Sequence, residues 1–178
     1  QVAYQAPAGG DPDFFSCVVL DSLLTGPSSL NMFGGGISNK TSRLYRALVD
    51  NELAVSVSGG LPATKDPFMY TIILTVHPQK SAQDVTSVLE DEIKRLQDAP
   101  PPEEEVARAM KQARALFAYG SESITNQAFW MGYSEMFATY DWFEGYLDKL
   151  SAVTPQDVQH MAQTYLRPQN RVLGIYLP

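Results

Sequence analysis

"LAVSVSGGLPATKDPFMYTIILTVH", Leu53 to His77, reads as two alternating runs around a turn. The first alternates Ser with Val and ends in the paired glycines Gly59 and Gly60. The second places Phe68, Tyr70, Ile72, Leu74 and Val76 on one side of an extended chain. A period of two is the signature of a strand with one buried face. "LPATKDP" between the runs holds two prolines, so the pair is predicted to fold back as antiparallel neighbours. Upstream, "SRLYRALVD" puts Leu44 and Leu48 on one helical face and Arg43, Arg46 and Asp50 on another, predicting a helix over Ser42 to Asp50. At the start of the chain, "QVAYQAP" alternates Val2, Tyr4 and Ala6 and stops at Pro7, which predicts a short edge strand. "GGDPDFFSCVVLDSLLTGP" then predicts a helix capped by Asp11, with Pro12 at its first position and Gly26-Pro27 at its end.

After the hairpin the chain turns helical. "SAQDVTSVLEDEIKRLQDA" opens on the capping box Ser81-x-x-Asp84 and repeats Val85, Val88, Leu89, Ile93 and Leu96 at helix spacing. Pro100 to Pro102 stop it and start a second helix, whose first turn carries Glu103, Glu104 and Glu105, where the helix dipole favours negative charge. Further helical stretches follow, with a capping box at Thr154-x-x-Asp157, and "NRVLGIYLP" predicts a last strand. Strand, helix, helix, strand, strand, helices, strand is the order of an α+β fold, with helices layered on one face of an antiparallel or mixed sheet.

The 178 residues suit a single domain able to bury its own core. No apolar run approaches the roughly 18 residues a bilayer span needs, so no membrane span is expected. Thirteen Lys and Arg against twenty Asp and Glu give a net charge of -7, which disfavours nucleic acid and anionic lipid as partners. The single cysteine, Cys17, lies in "FFSCVVL" and reads as a small buried hydrophobe. The chain opens directly on a strand without a leader-like segment, so it reads as a piece excised from a longer one; its compartment stays open.

Motifs exclude more chemistry than they offer. Gly34-Gly35-Gly36 has no following Gly-Lys-Ser/Thr and no spaced glycines, so it is neither a P-loop nor a dinucleotide fingerprint. A re-aiming hinge or a ligand-facing loop remain its two readings. The histidines, His77 and His160, stand apart with no neighbouring His or Cys, so no metal site and no catalytic residue is expected in this chain. Glu90 to Glu92 and Glu103 to Glu105 read as solvated faces and a helix start rather than catalytic carboxylate pairs. In "FWMGYSEMFATYDWFEGY", Phe129, Tyr133 and Phe137 recur at helical spacing beside Met136 and Tyr140, a face for core packing or for contact with another domain or a peptide.

Three passages in this order resemble one family: "SRLYRALVDNELAVSV" from Ser42 to Val57, the acidic helix start "PPPEEEVARAMKQ", and "VTPQDVQHMAQTYLRPQNRVLGIYLP" from Val153 to Pro178. Together they resemble the C-terminal, non-zinc half of pitrilysin/insulinase-type (M16) metallopeptidases, related to mitochondrial processing peptidase and cytochrome bc1 core subunits. The resemblance covers residues 1–178, as one domain of a two-domain chain.

It implies two α+β halves closing like a clamshell around an unfolded peptide, one half carrying His-x-x-Glu-His zinc chemistry. This sequence has no such motif, so it looks like the other half. It would hold no cofactor itself, with zinc on an N-terminal M16 domain of the same chain or of a partner subunit. It would wall the chamber and contact extended peptide, as a monomer or a dimer, in a bacterial-type periplasmic or cytoplasmic setting. Non-zinc halves commonly clamp substrate with an Arg and, about two helical turns later, the Tyr of Leu-Ala-Tyr. Here the Arg position falls on Leu48 or Val49 and the Tyr position on Val55, so neither is retained. Arg43 or Arg46 substitutes, or another subunit supplies the pair. Processing-peptidase α-type subunits resemble this chain in a glycine-rich, substrate-contacting loop before "Ser-Arg-Leu-Tyr", which gives Gly34, Gly35 and Gly36 a peptide-facing reading. The missing clamp fits an alternative as well, a non-proteolytic scaffold like the bc1 core subunits.

Overall fold

The computed structural model describes residues 1–27 and 40–176. Its elements are β1 (Val2–Ala6), α1 (Phe14–Leu24), a π-helical turn (Tyr45–Val49), β2 (Ala54–Gly60), β3 (Phe68–Val76), α2 (Ala82–Asp98), α3 (Glu103–Gly120), α4 (Ile124–Phe137), α5 (Tyr140–Glu144), α6 (Tyr146–Ser151), α7 (Pro155–Tyr165) and β4 (Arg171–Leu173). The strands form one antiparallel sheet in the order β2-β3-β1-β4. The predicted hairpin is β2 with β3, and the fold is α+β as the element order implied.

Even-numbered positions of β1 and β3 face the helices: Val2, Tyr4, Tyr70 and Ile72 are buried. The helix α1 runs through the middle of the protein and is apolar and buried on nearly all sides, the pattern of a central helix rather than a surface one. It packs on α3, α6 and α7, while α7 also lies on α2 and β1. Ser22 Oγ donates to the Ala109 carbonyl at 2.9 Å, tying α1 to α3. Both predicted capping boxes form, Ser81 with Asp84 and Thr154 with Asp157.

Four local expectations need correction. β1 is an inner strand, paired with β3 on one side and β4 on the other. Pro7 lies just past its last paired residue, so the missing N–H never interrupts the ladder. The helix α1 starts at Phe14 with Asp13 at its cap, because Asp11 spends its carboxylate on the Asp13 N–H at 2.9 Å in a preceding turn. The helix expected over Ser42 to Asp50 forms, but Tyr45–Val49 within it winds as a π-helical turn, with Asp50 N–H on the Tyr45 carbonyl at 3.1 Å and Leu53 N–H on that of Leu48 at 2.8 Å. That wide closure, with Glu52 at φ 55°, redirects the chain into β2. Phe68 is exposed, because it lies at the end of β3 beyond the helix layer.

The aromatic passage is mainly core, though through a different helix face from the one its spacing suggests. Trp130, Ser134 and Phe137 are the buried residues of α4, while Phe129 and Met136 face solvent. Trp142 fixes the cluster to the start of the chain: its Nε1–H donates to the Gly9 carbonyl at 2.7 Å, and its ring packs on Phe14, Phe15, Phe137 and Tyr146.

Candidate functional site

All of the helix packing described above uses one side of the sheet. The other side is uncovered among the described residues. It is built by the odd-numbered positions of β1 and β3, the even-numbered positions of β2 from Ser56 onward, and Val172 of β4, as the registers require. None of these positions is charged. Met69, Ile73 and Val172 stand exposed on it, and Ser56 Oγ donates to Thr75 Oγ1 across the β2-β3 pair at 3.0 Å.

The register of β2 slips between Ala54, opposite Val76, and Ser56, opposite Thr75, leaving Val55 as the extra residue of a bulge. Bulges re-aim a side chain, and Val55 is turned out to 56% exposure beside Ser56. Leu48 is completely buried in the core, and Val49 is half-buried against it.

The two arginines part company. Arg43 is held in a fork by Glu105 of α3, Nε to Oε1 at 2.8 Å and Nη2 to Oε2 at 2.7 Å, which ties the π-helical turn to the start of α3. This paired carboxylate keeps the guanidinium charged more firmly than usual, against the opposing effect of burial. Arg46 is exposed and makes no ion pair among the described residues. Gly34, Gly35 and Gly36 lie outside the described residues. The role of Glu105 was hidden in the sequence, because "EEE" at a helix start is already explained by the dipole and its partner lies far away in the chain.

The donor set does not fit a zinc centre. His77 follows β3 and accepts the Gln79 N–H at its Nδ1 at 3.3 Å, while His160 sits exposed on α7. Among the described residues no group of three His, Cys, Asp or Glu is placed to hold a metal ion. No helix among them is long and apolar enough to cross a membrane.

Comparison with known families matches residues 1–113 to the peptidase M16 inactive domain. The chain belongs to the M16 peptidase family, as an inactive domain. Solved structures share its fold. A zinc-protease-like protein from Bordetella pertussis Tohama I is 23% identical with a TM-score of 0.80, over 99% of this chain and 92% of that one. A protease from Helicobacter pylori is 18% identical with a TM-score of 0.82, over 96% of this chain and 38% of that one. A chain of complex III2 from Candida albicans is 15% identical with a TM-score of 0.77, over 96% of this chain and 40% of that one. The M16 inactive domain thus spans about two fifths of the Helicobacter and Candida chains. No curated protein matches the sequence.

Proposed function

We propose that this M16 inactive domain is the non-catalytic half of a zinc-dependent endopeptidase, walling a clamshell chamber and contacting extended peptide. The zinc, in this reading, sits on an N-terminal M16 domain of the same chain or of a partner subunit, and would there activate water for peptide hydrolysis. The observation that carries the reading is the bare, uncharged sheet face, bounded by β2, which ends the strand order among the described residues. Arg46 and Gly34 to Gly36 are the candidate peptide contacts. Arg43 is a positioning residue, anchoring through Glu105 the turn that leads into β2.

A second reading, a non-proteolytic scaffold of the same fold, draws support from the missing clamp pair: Leu48 or Val49 at the Arg position and Val55 at the Tyr position are aliphatic and offer a peptide no side-chain donor. Mixing the chain with the zinc-bearing M16 half encoded in the same or the neighbouring reading frame separates the two. Cleavage of an internally quenched peptide should require both halves and stop on chelation, with this chain alone binding no stoichiometric zinc. A stable complex without cleavage would instead establish the scaffold.

A further inference from the structure

We propose that the open sheet face selects an uncharged, extended peptide segment, and that Val55 and Ile73 set this preference. The inference rests on the peptide-contacting reading above and names the class of peptide.

The charge pattern comes first. Charged residues make up 19% of the chain, whose net charge is -7, yet the uncovered face carries none. Interspersed charges of both signs are what keep a water-facing surface solvated and free of unwanted contacts. A neutral face of this extent is instead complementary to a neutral occupant. Ile73 at 51% exposure presents a branched aliphatic side chain on this face together with Met69 and Val172, and Val55 of the bulge, 56% exposed, stands next to Ser56 at the β2 edge. The Ser56 and Thr75 hydroxyls already bond to each other. A charged side chain laid across this surface would lose water and gain no counter-ion, whereas an aliphatic or hydroxyl side chain would bury apolar area without that cost.

The sheet edge supplies the conformation. β2 ends the strand order and pairs only with β3 among the described residues. Its seven residues, "AVSVSGG", contain no Lys, Glu or Pro, the residues that usually guard an edge against strand addition. An extended segment beside β2 would gain main-chain hydrogen bonds and widen the neutral face by one strand, its alternate side chains lying next to Ser56 and Ser58 with Ile73 one strand further in.

The test uses the 178-residue chain and three dye-labelled peptides of equal length in fluorescence anisotropy. One peptide is built from Thr, Val, Ser and Ile; the others carry Glu or Lys at alternate positions. The neutral peptide should bind at least about tenfold more tightly than either charged one. Ile73→Glu should weaken the neutral peptide and strengthen the Lys peptide while the thermal midpoint stays put, since the site is exposed. Val55→Asp should act in the same direction. Tightest binding of the Lys or Glu peptide, or equal binding of all three, overturns the selectivity and leaves the chamber reading intact. Binding of none overturns both. Conversion of a self-associated chain to monomer by Ile73→Glu, seen by sedimentation, would assign the face to a second copy and overturn the proposal.

Discussion

A methyl group at Gly59 would sit 2.1 Å from Asp21 Oδ1 and 2.2 Å from Thr25 Oγ1. Those two groups cannot easily move: both residues are buried, and the Thr25 hydroxyl donates to Asp21 Oδ1 at 2.7 Å. Tyr70 is buried with them, and burial, with the Asp21 charge beside it, pushes its phenol well above the usual range. β2 thus approaches the end of α1 as closely as a backbone without a side chain permits. Gly59→Ala should destabilise the protein by about 3 kcal/mol, read as a lower urea midpoint at unchanged slope. Adding Thr25→Ala should recover part of that loss, because one of the two clashing atoms is gone. A neutral Gly59→Ala would mean that α1 and β2 are not so tightly apposed. The sequence showed paired glycines ending a strand; why the first must be glycine depended on two side chains from a different element.

At the scale of elements, the helix starts were the most legible features, because a cap is written in a few adjacent residues. In the box opening α2, the Ser81 side chain and backbone N–H both hydrogen-bond Asp84, and these bonds hold its carboxyl below the ordinary value. A folded-state pKa below the unfolded one means that the contribution is complete above about pH 4 and is lost as pH falls through the folded value. Asp84→Asn should therefore lower the urea midpoint at pH 6, with the gap to the parent protein closing as pH falls below about 4. A gap that stays constant with pH would show that the charge plays no part in the cap. Strand order and helix faces were harder to read. That β1 is an inner strand depends on β4, which arrives from the far end of the chain and pairs Leu173 with Val2. The buried side of α4 depends on where Trp142 lies, and nearly all-round apolar composition leaves such a face undetermined. The bulge at Val55 was equally hidden, since an extra residue in a strand leaves the local alternation looking intact.

Across the whole molecule, the family match ends at residue 113, within α3, but the core does not end there. The helix α7 covers α1, α2 and β1, and Gln97 of α2 donates to the Ala162 and Leu166 carbonyls at the end of α7 at 3.1 and 2.9 Å. Trp142 and Tyr146 pack against Phe15 of α1, and Phe117 stacks on Tyr146 at 4.2 Å. Removing residues 114–178 would strip β1 of one ladder and bare the apolar sides of α1 and α2, a loss far beyond the 5–15 kcal/mol by which a domain is ordinarily stable. A 1–113 fragment should therefore show no cooperative thermal transition in far-UV circular dichroism. The two tryptophans, Trp130 and Trp142, both lie in the second part, whereas helical dichroism samples both parts. If one core unites them, tryptophan fluorescence and far-UV dichroism of the whole chain should share a single midpoint. An early fluorescence transition, or a folded 1–113 fragment, would divide the protein into a sheet-bearing unit and an appended helical layer, and the open face would then have to do its work without α4 to α7 behind it.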